Sequence, residues 1–218
     1  VSPVWPPEGI SLAAVLVRGY RVLPGVVVGA FLANYLNNPH LPTAGLIAAG
    51  NTLSVLIAAV IIKKFSGENP FGTVRNVIRF LTIGTMPGAA ASAIIGVTSL
   101  LAFGFLPFEV YGNVLVTWWT GEMQGLVIIA PFLFSFSQLS RTRMLPAQRA
   151  LRIMEAVILL LSLAFVGVLV FHSKFPLSYL PLPFMLWSVF RFKLCGAATA
   201  TMIISGVATY FTVNHQGP

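Results

Sequence analysis

The chain has 218 residues, 57% of them hydrophobic and 8% charged, with 13 Lys plus Arg against 5 acidic residues and a mean hydropathy of +0.89. Such a composition excludes a water-soluble domain and predicts an all-α, polytopic integral membrane helical bundle, with short and kinked helices. The net charge of +8 is spread in small groups between apolar runs rather than in a basic tract, which excludes nucleic acid as a direct partner.

In chain order, Trp5-Pro6-Pro7-Glu8-Gly9-Ile10 reads as a rigid turn entering a helix. The prolines fix φ and bring no N–H donor, Trp5 suits an interface anchor, and Glu8 lies in a first turn where the helix dipole favours an acid. The apolar stretch 10–17 is too short to decide as a crossing; 22–36 is moderately short, and 43–62 is a full span. Residues 77–106 exceed a span and carry Pro87 beside Gly84 and Gly88, which predicts a kink or a break. Residues 111–139 are equally long and are interrupted by Gly121, Gly125 and Pro131. A clean span at 153–171, a short one at 176–190 with Pro181 and Pro183, and a last one at 194–213 complete seven crossings and one undecided opening segment.

Orientation follows from the connections. Arg18 and Arg21, Lys63 through Arg79, Arg141 through Arg152, and Arg191 with Lys193 fall on one side under strict alternation, leaving Lys174 alone on the other. The positive-inside rule makes the first side cytoplasmic. The segment 194–213 then runs outward, and both ends read as cut from a longer chain, so a protein reporting to the cytoplasm needs one more helix after Pro218. Paired glycines at Gly25/Gly29, Gly84/Gly88 and Gly121/Gly125 permit close helix contact.

Glu122 is the leading functional candidate, since an ionisable side chain at bilayer depth is costly and faces protein or a watery cavity. It could bind a cationic or hydroxyl-bearing ligand or change protonation with state, or simply make a structural hydrogen bond; whether it is charged stays open. Trp118 lies four residues before it on the same helix face, and Trp119 about 100° away. Asn51, well inside a span, needs a partner for its amide: a helix-to-helix hydrogen bond or a place in a pocket wall. Asn34 lies nearer an outer helix end, where water can satisfy it. His40, His172 and His215 share the external side without a spacing that supports a common site. Cys195 is the single cysteine, read as a buried small hydrophobe at a helix end. The chain contains no Asp, no phosphate loop, no zinc signature and no nucleophile elbow. No catalytic residue, metal ligand set or cofactor follows from these residues.

Several of these residues stand in an order that resembles a bacterial family, the membrane-associated sensor domain of the first type. The matching stretches are Ser2-Pro3-Val4-Trp5-Pro6-Pro7-Glu8-Gly9-Ile10, Pro24-Gly25 through Gly29-Ala30-Phe31-Leu32-Ala33-Asn34, Gly50-Asn51-Thr52-Leu53, and Arg75 through Arg79-Phe80. Thr117-Trp118-Trp119-Thr120-Gly121-Glu122-Met123-Gln124-Gly125, Ala130-Pro131, Trp187 through Arg191-Phe192 and Gly217-Pro218 follow. Glu8 departs from the family, which has a small residue there; in a ligand-contacting turn it would change the charge preference.

The resemblance implies one sensory domain over 1–218, lacking a first helix before residue 1 and a last helix after residue 218. It implies a multi-pass module of the bacterial inner membrane that feeds histidine kinases, diguanylate cyclases or cyclic-di-GMP phosphodiesterases, with any catalysis outside this chain. The expected partners are the lipid bilayer, a small-molecule ligand or a membrane protein, and a second copy through the full-length protein. The signal-sensing candidates are Glu122, Trp118, Trp119, Asn51, Asn34, Trp5 and Glu8. Two other readings stay open: a small-molecule transporter or channel-like protein, and a docking module for another membrane protein.

Overall fold

The computed structural model describes residues 4–67, 70–139, 146–173, 177 and 179–214. Arg141, Arg143, Lys174, His215 and the Gly217-Pro218 end lie outside the described residues, as does the side chain of Arg149. Among the described residues the regular structure is helical throughout, and the chain divides into two units, Val1–Ala130 and Pro131–Pro218.

In the first unit α1 (Pro6–Arg18) leads through a short turn into α2 (Leu23–Asn37) and the long α3 (Leu41–Ser66). Then α4 (Val74–Arg79) widens into a π turn at Phe80–Thr85 and continues as α5 (Met86–Ala102). The next helix, α6 (Tyr111–Gln124), widens likewise at Gly125–Ile129 before α7 (Ala130–Leu139). Each π turn ends two residues before a proline, Pro87 or Pro131. Proline has no N–H and its ring crowds the carbonyl four residues back, so the turn preceding it opens rather than breaks. The expected kinks are thus expressed as wide turns within continuous helical runs.

The core of this unit is the antiparallel packing of α3 on α5. Gly50 faces Ile95 and Ser92, a Cβ on Gly88 would meet Ser54 O at 2.7 Å, and one on Gly84 would meet Ile62 at 3.1 Å. Small residues let the backbones approach until van der Waals contact and interhelical hydrogen bonds hold them, which is what drives association where lipid removes the hydrophobic difference. By contrast Gly25 and Gly29 on α2 have nothing within 4 Å of a would-be Cβ. Of the three glycine pairs, two serve packing within the unit and one faces open space.

Helix α1 resolves the undecided opening segment. Its 13 residues reach about 20 Å, short of the ~30 Å hydrocarbon. It runs parallel to the 111–130 helix, with Trp5 beside Gly121 and Gly9 beside Gly125. It therefore starts about halfway along that helix instead of crossing. The backbone N–H of Trp5 donates to Gly121 O at 3.0 Å. Pro6 and Pro7 are exposed at the start of α1, where their missing N–H groups leave fewer orphan donors in the first turn.

The basic groups of the first unit gather at one end. Lys63 Nζ lies 4.2 Å from the Tyr20 ring centroid, and Arg79 Nη1 donates to Phe65 O at 2.9 Å. At the opposite end His40 caps α3 through Thr43 and packs edge-on against Phe103 and Phe105.

The second unit holds α7 from Pro131 onward, α8 (Pro146–His172) and α9 (Leu182–Val213). Helix α9 has two arms that meet at Lys193. Lys193 has φ 54 and ψ −137, and a methyl group on Gly196 would overlap Ser188 O. Residues eight apart in a continuous helix are about 12 Å apart, so the chain reverses at Lys193. The second arm runs parallel to α8: Arg191, at the reversal, pairs with Glu155 at 2.6 Å, Gly167 faces Ile204 and Val207, and Phe171 stacks on Phe211. The arm 194–213 has the length of a crossing, whereas 182–192 covers about 16 Å, half of one. The segment expected as a short crossing at 176–190 is, in its helical part, this half-span. Cys195, two residues past the reversal, is half-buried rather than enclosed.

By length and composition Leu41–Ser66, Val74–Ala102, Ala150–His172 and Leu182–Val213 qualify as membrane-crossing runs. The protein is a multi-pass helical membrane protein.

Candidate functional site

Four elements of the first unit place polar side chains at one buried point. From α6 comes Glu122, 1% exposed; from α5, Ser92, fully enclosed; from α3, Asn51 and Ser54; and from the first turn of α1, Glu8, 2% exposed. Trp118 completes the group one turn before Glu122, its ring lying over Gly96, where a Cβ would come within 3.0 Å. The glycine at 96 makes room for the indole, and the indole in turn aims its N–H along its own helix.

Glu122 Oε1 accepts from Trp118 Nε1 at 2.7 Å and from Ser92 Oγ at 2.7 Å. Ser92 Oγ also lies 3.0 Å from the Asn51 amide. One hydroxyl carries one proton, so Ser92 cannot donate to both. The shorter contact takes it, and the Asn51 amide, turned over, presents its NH₂ to the serine oxygen; the two orientations of an amide are interchangeable in shape. The result is a relay polarised in one direction, from Asn51 through Ser92 to Glu122, met from the other side by the indole. An indole N–H only donates, so Oε1 is an acceptor, and a proton carried by Glu122 sits on Oε2.

Oε2 has no hydrogen-bond partner, and neither has Glu8 Oε1. Ser54 Oγ is enclosed and also makes no hydrogen bond of good geometry. No Lys, Arg or His among the described residues is buried, so this centre has no internal counter-charge of that kind. The first turn of α1 provides a partial positive end close to it.

The remaining candidates lie elsewhere. Trp119 Nε1 donates to Met86 O at 3.3 Å and points away from Glu122, and Asn34 bonds back to Ala30 O at 2.8 Å within its own helix. The backbone of Trp5 reaches the site, Trp5 O lying against Gly125. Glu8, read as a cap, belongs to the centre. Ser54 and Ser92 were not singled out in the sequence; the signal for them is spacing, since Ser54 follows Asn51 by three on one helix face and Ser92 follows Gly88 by four. Among the described residues no group of three or more His, Cys, Asp or Glu gathers to hold a metal ion.

A family model, MASE1, matches residues 1–218. No curated protein and no solved structure matches the chain.

Proposed function

The chain belongs to the MASE1 family of membrane sensory input domains, and from that premise we propose that the buried polar centre is where it responds. In this reading the protein is the inner-membrane input of a bacterial histidine kinase, diguanylate cyclase or cyclic-di-GMP phosphodiesterase, and the output domain belongs to another part of the natural protein. The observation that carries it is the set of buried oxygens without partners on Glu8, Ser54 and Glu122, beside a relay that ties α3, α5 and α6 together.

A sensor needs two packings close in free energy and a signal that favours one of them. Moving a population from 1:99 to 99:1 takes about 5.5 kcal/mol of difference. A buried polar group that gains or loses a partner is worth about 1–3 kcal/mol. Two or three such groups at one point therefore supply the required scale, which scattered apolar contacts at the lipid face do not.

The test is Glu122→Gln in the full-length signalling protein. The expected result is an altered output at unchanged membrane insertion. Output identical to the parent across signal conditions removes Glu122 from the mechanism.

A transporter-like reading is favoured by one feature, the start of α1 halfway along its neighbour, because discontinuous helices line midplane substrate sites in transporters. Substrate flux in reconstituted vesicles decides for it.

A further inference from the structure

We propose that the cationic end of the first unit binds the headgroup of an anionic phospholipid, with Lys63, Lys64 and Arg79 holding its phosphate. The inference goes beyond the sensory reading and does not rest on it.

The place is a bilayer surface. Leu41–Ser66 and Val74–Ala102 both qualify as crossing runs, and the short connection between them brings the end of one and the start of the other to the same side. Three cations meet there through printed contacts. Lys64 Nζ and Arg79 Cζ lie 5.6 and 5.8 Å from the centroid of one ring, Phe65, and Arg79 Nη1 donates to Phe65 O at 2.9 Å. Lys63, the residue before Lys64, has its Nζ 4.2 Å from the Tyr20 centroid, which draws the turn after α1 against the end of α3. Arg18 and Arg21 flank that turn, and Arg75 lies one helical turn before Arg79 on α4.

These charges have no internal answer. In sequence the six basic residues have one acid nearby, Glu68, which lies outside the described residues. Among the described residues the ion pair is Arg191 with Glu155 in the second unit, and none of the six takes part in one. An aromatic ring offers a cation its negative face but no net charge, so two cations on Phe65 still repel each other. Arg79 spends a single N–H on the carbonyl, and a guanidinium has more to offer a phosphate.

The surroundings select a lipid over a soluble anion. Val74 and Ile78, each preceding an arginine of α4, are 77% and 54% exposed, and the rings of Tyr20 and Phe65 are exposed as well. Apolar side chains left open among cations match a molecule with a phosphate at one end and acyl chains at the other. An inorganic anion would satisfy the charges and leave that apolar surface uncovered.

The experiment is native mass spectrometry of the 218-residue chain in detergent, after equilibration with phosphatidylglycerol or with phosphatidylcholine. The expected result is saturable retention of phosphatidylglycerol that weakens as salt rises, with phosphatidylcholine retained far less. A basic residue beside an anionic lipid surface is worth about fivefold in affinity. Lys63→Gln and Lys64→Gln should each weaken retention by about that factor, and the double variant by more than about tenfold. Lys64→Arg keeps the charge and retains the lipid. Arg191→Gln removes an equal charge from the second unit and leaves retention at the parental level. Lys64 is exposed at the helix end, so its Gln variant gives the answer even where the double variant fails to fold. Equal retention of the two lipids, or parental affinity in Lys64→Gln, overturns the proposal. Displacement of phosphatidylglycerol by inorganic phosphate also overturns it and makes the patch a site for a soluble anion. Retention of neither lipid overturns it in favour of an acidic protein surface.

Discussion

Gly9 and Gly125 meet backbone to backbone: a methyl group on Gly9 would overlap the carbonyl oxygen of Gly125, and one on Gly125 would overlap Trp5 O. This contact is what sets Glu8 at the level of Glu122. It lies on the widened turn of the 111–130 helix, so the π turn, the glycines and the acidic centre form one piece of architecture.

Gly9→Ala and Gly125→Ala should both destabilise the first unit. The obstacle is rigid backbone, so the cost is at least the ~1–3 kcal/mol of ordinary overpacking. Gly25→Ala, with open space around it, is the control and should be neutral or slightly stabilising. Thermal unfolding of the three variants in detergent checks this; equal midpoints for Gly125→Ala and Gly25→Ala would contradict the packing described.

Trp118→Phe keeps the ring over Gly96 and removes one donor from Glu122 Oε1, for an expected loss of about 1–3 kcal/mol. Trp119→Phe removes a longer bond at a half-exposed position and should cost under about 1 kcal/mol. The comparison is made on the same unfolding assay. A larger effect at Trp119 than at Trp118 would mean that the indole bond to Glu122 is not a working part of the core.

Lys193 holds a backbone conformation that L residues rarely adopt, at φ 54. Lys193→Gly should stabilise the reversal by about 1 kcal/mol, and Lys193→Val should destabilise it by more. Arg191→Ala should change stability by no more than about 1 kcal/mol, because its ion pair with Glu155 is exposed, with side chains 41% and 27% accessible, and such pairs are screened. Proteolytic susceptibility at 191–195 and the unfolding midpoint report both effects.

Topology is open to a direct check. Single cysteines in a Cys195→Ser background should be labelled from the cytoplasmic side at Gly67 and at Lys193, and from the opposite side at Gly104. Labelling of Gly67 and Gly104 from the same side would break the alternation on which the orientation rests.

Much of this arrangement could be read along the sequence. The membrane class, the order of the runs and the pairing of Trp118 with Glu122 follow from composition and from helical spacing within one segment. Asn51 was legible as a group that must find a partner on another helix, and Ser92 is that partner. What could not be read is everything set by distant approach. Glu8 looks like a helix-start acid because its local surroundings are those of a cap; only the close pass of Gly9 on Gly125 brings it to Glu122. Likewise nothing local in Trp5-Pro6-Pro7 announces that the Trp5 N–H bonds to residue 121. The reversal falls on a lysine, with no glycine or proline at 193 to announce it, and the seat that Gly196 offers to Ser188 O is again a meeting of backbones.

The widened turn after Gln124 has a mechanical side. A surplus residue stored in a helix can pass along it, and each residue it crosses turns by about 100° and shifts by about 1.5 Å while the rest keep their places. Glu122 sits just ahead of that store, next to the Gly121 carbonyl that takes the Trp5 N–H. A surplus carried back across residue 122 would turn the carboxyl out of register with Ser92 without melting a single turn.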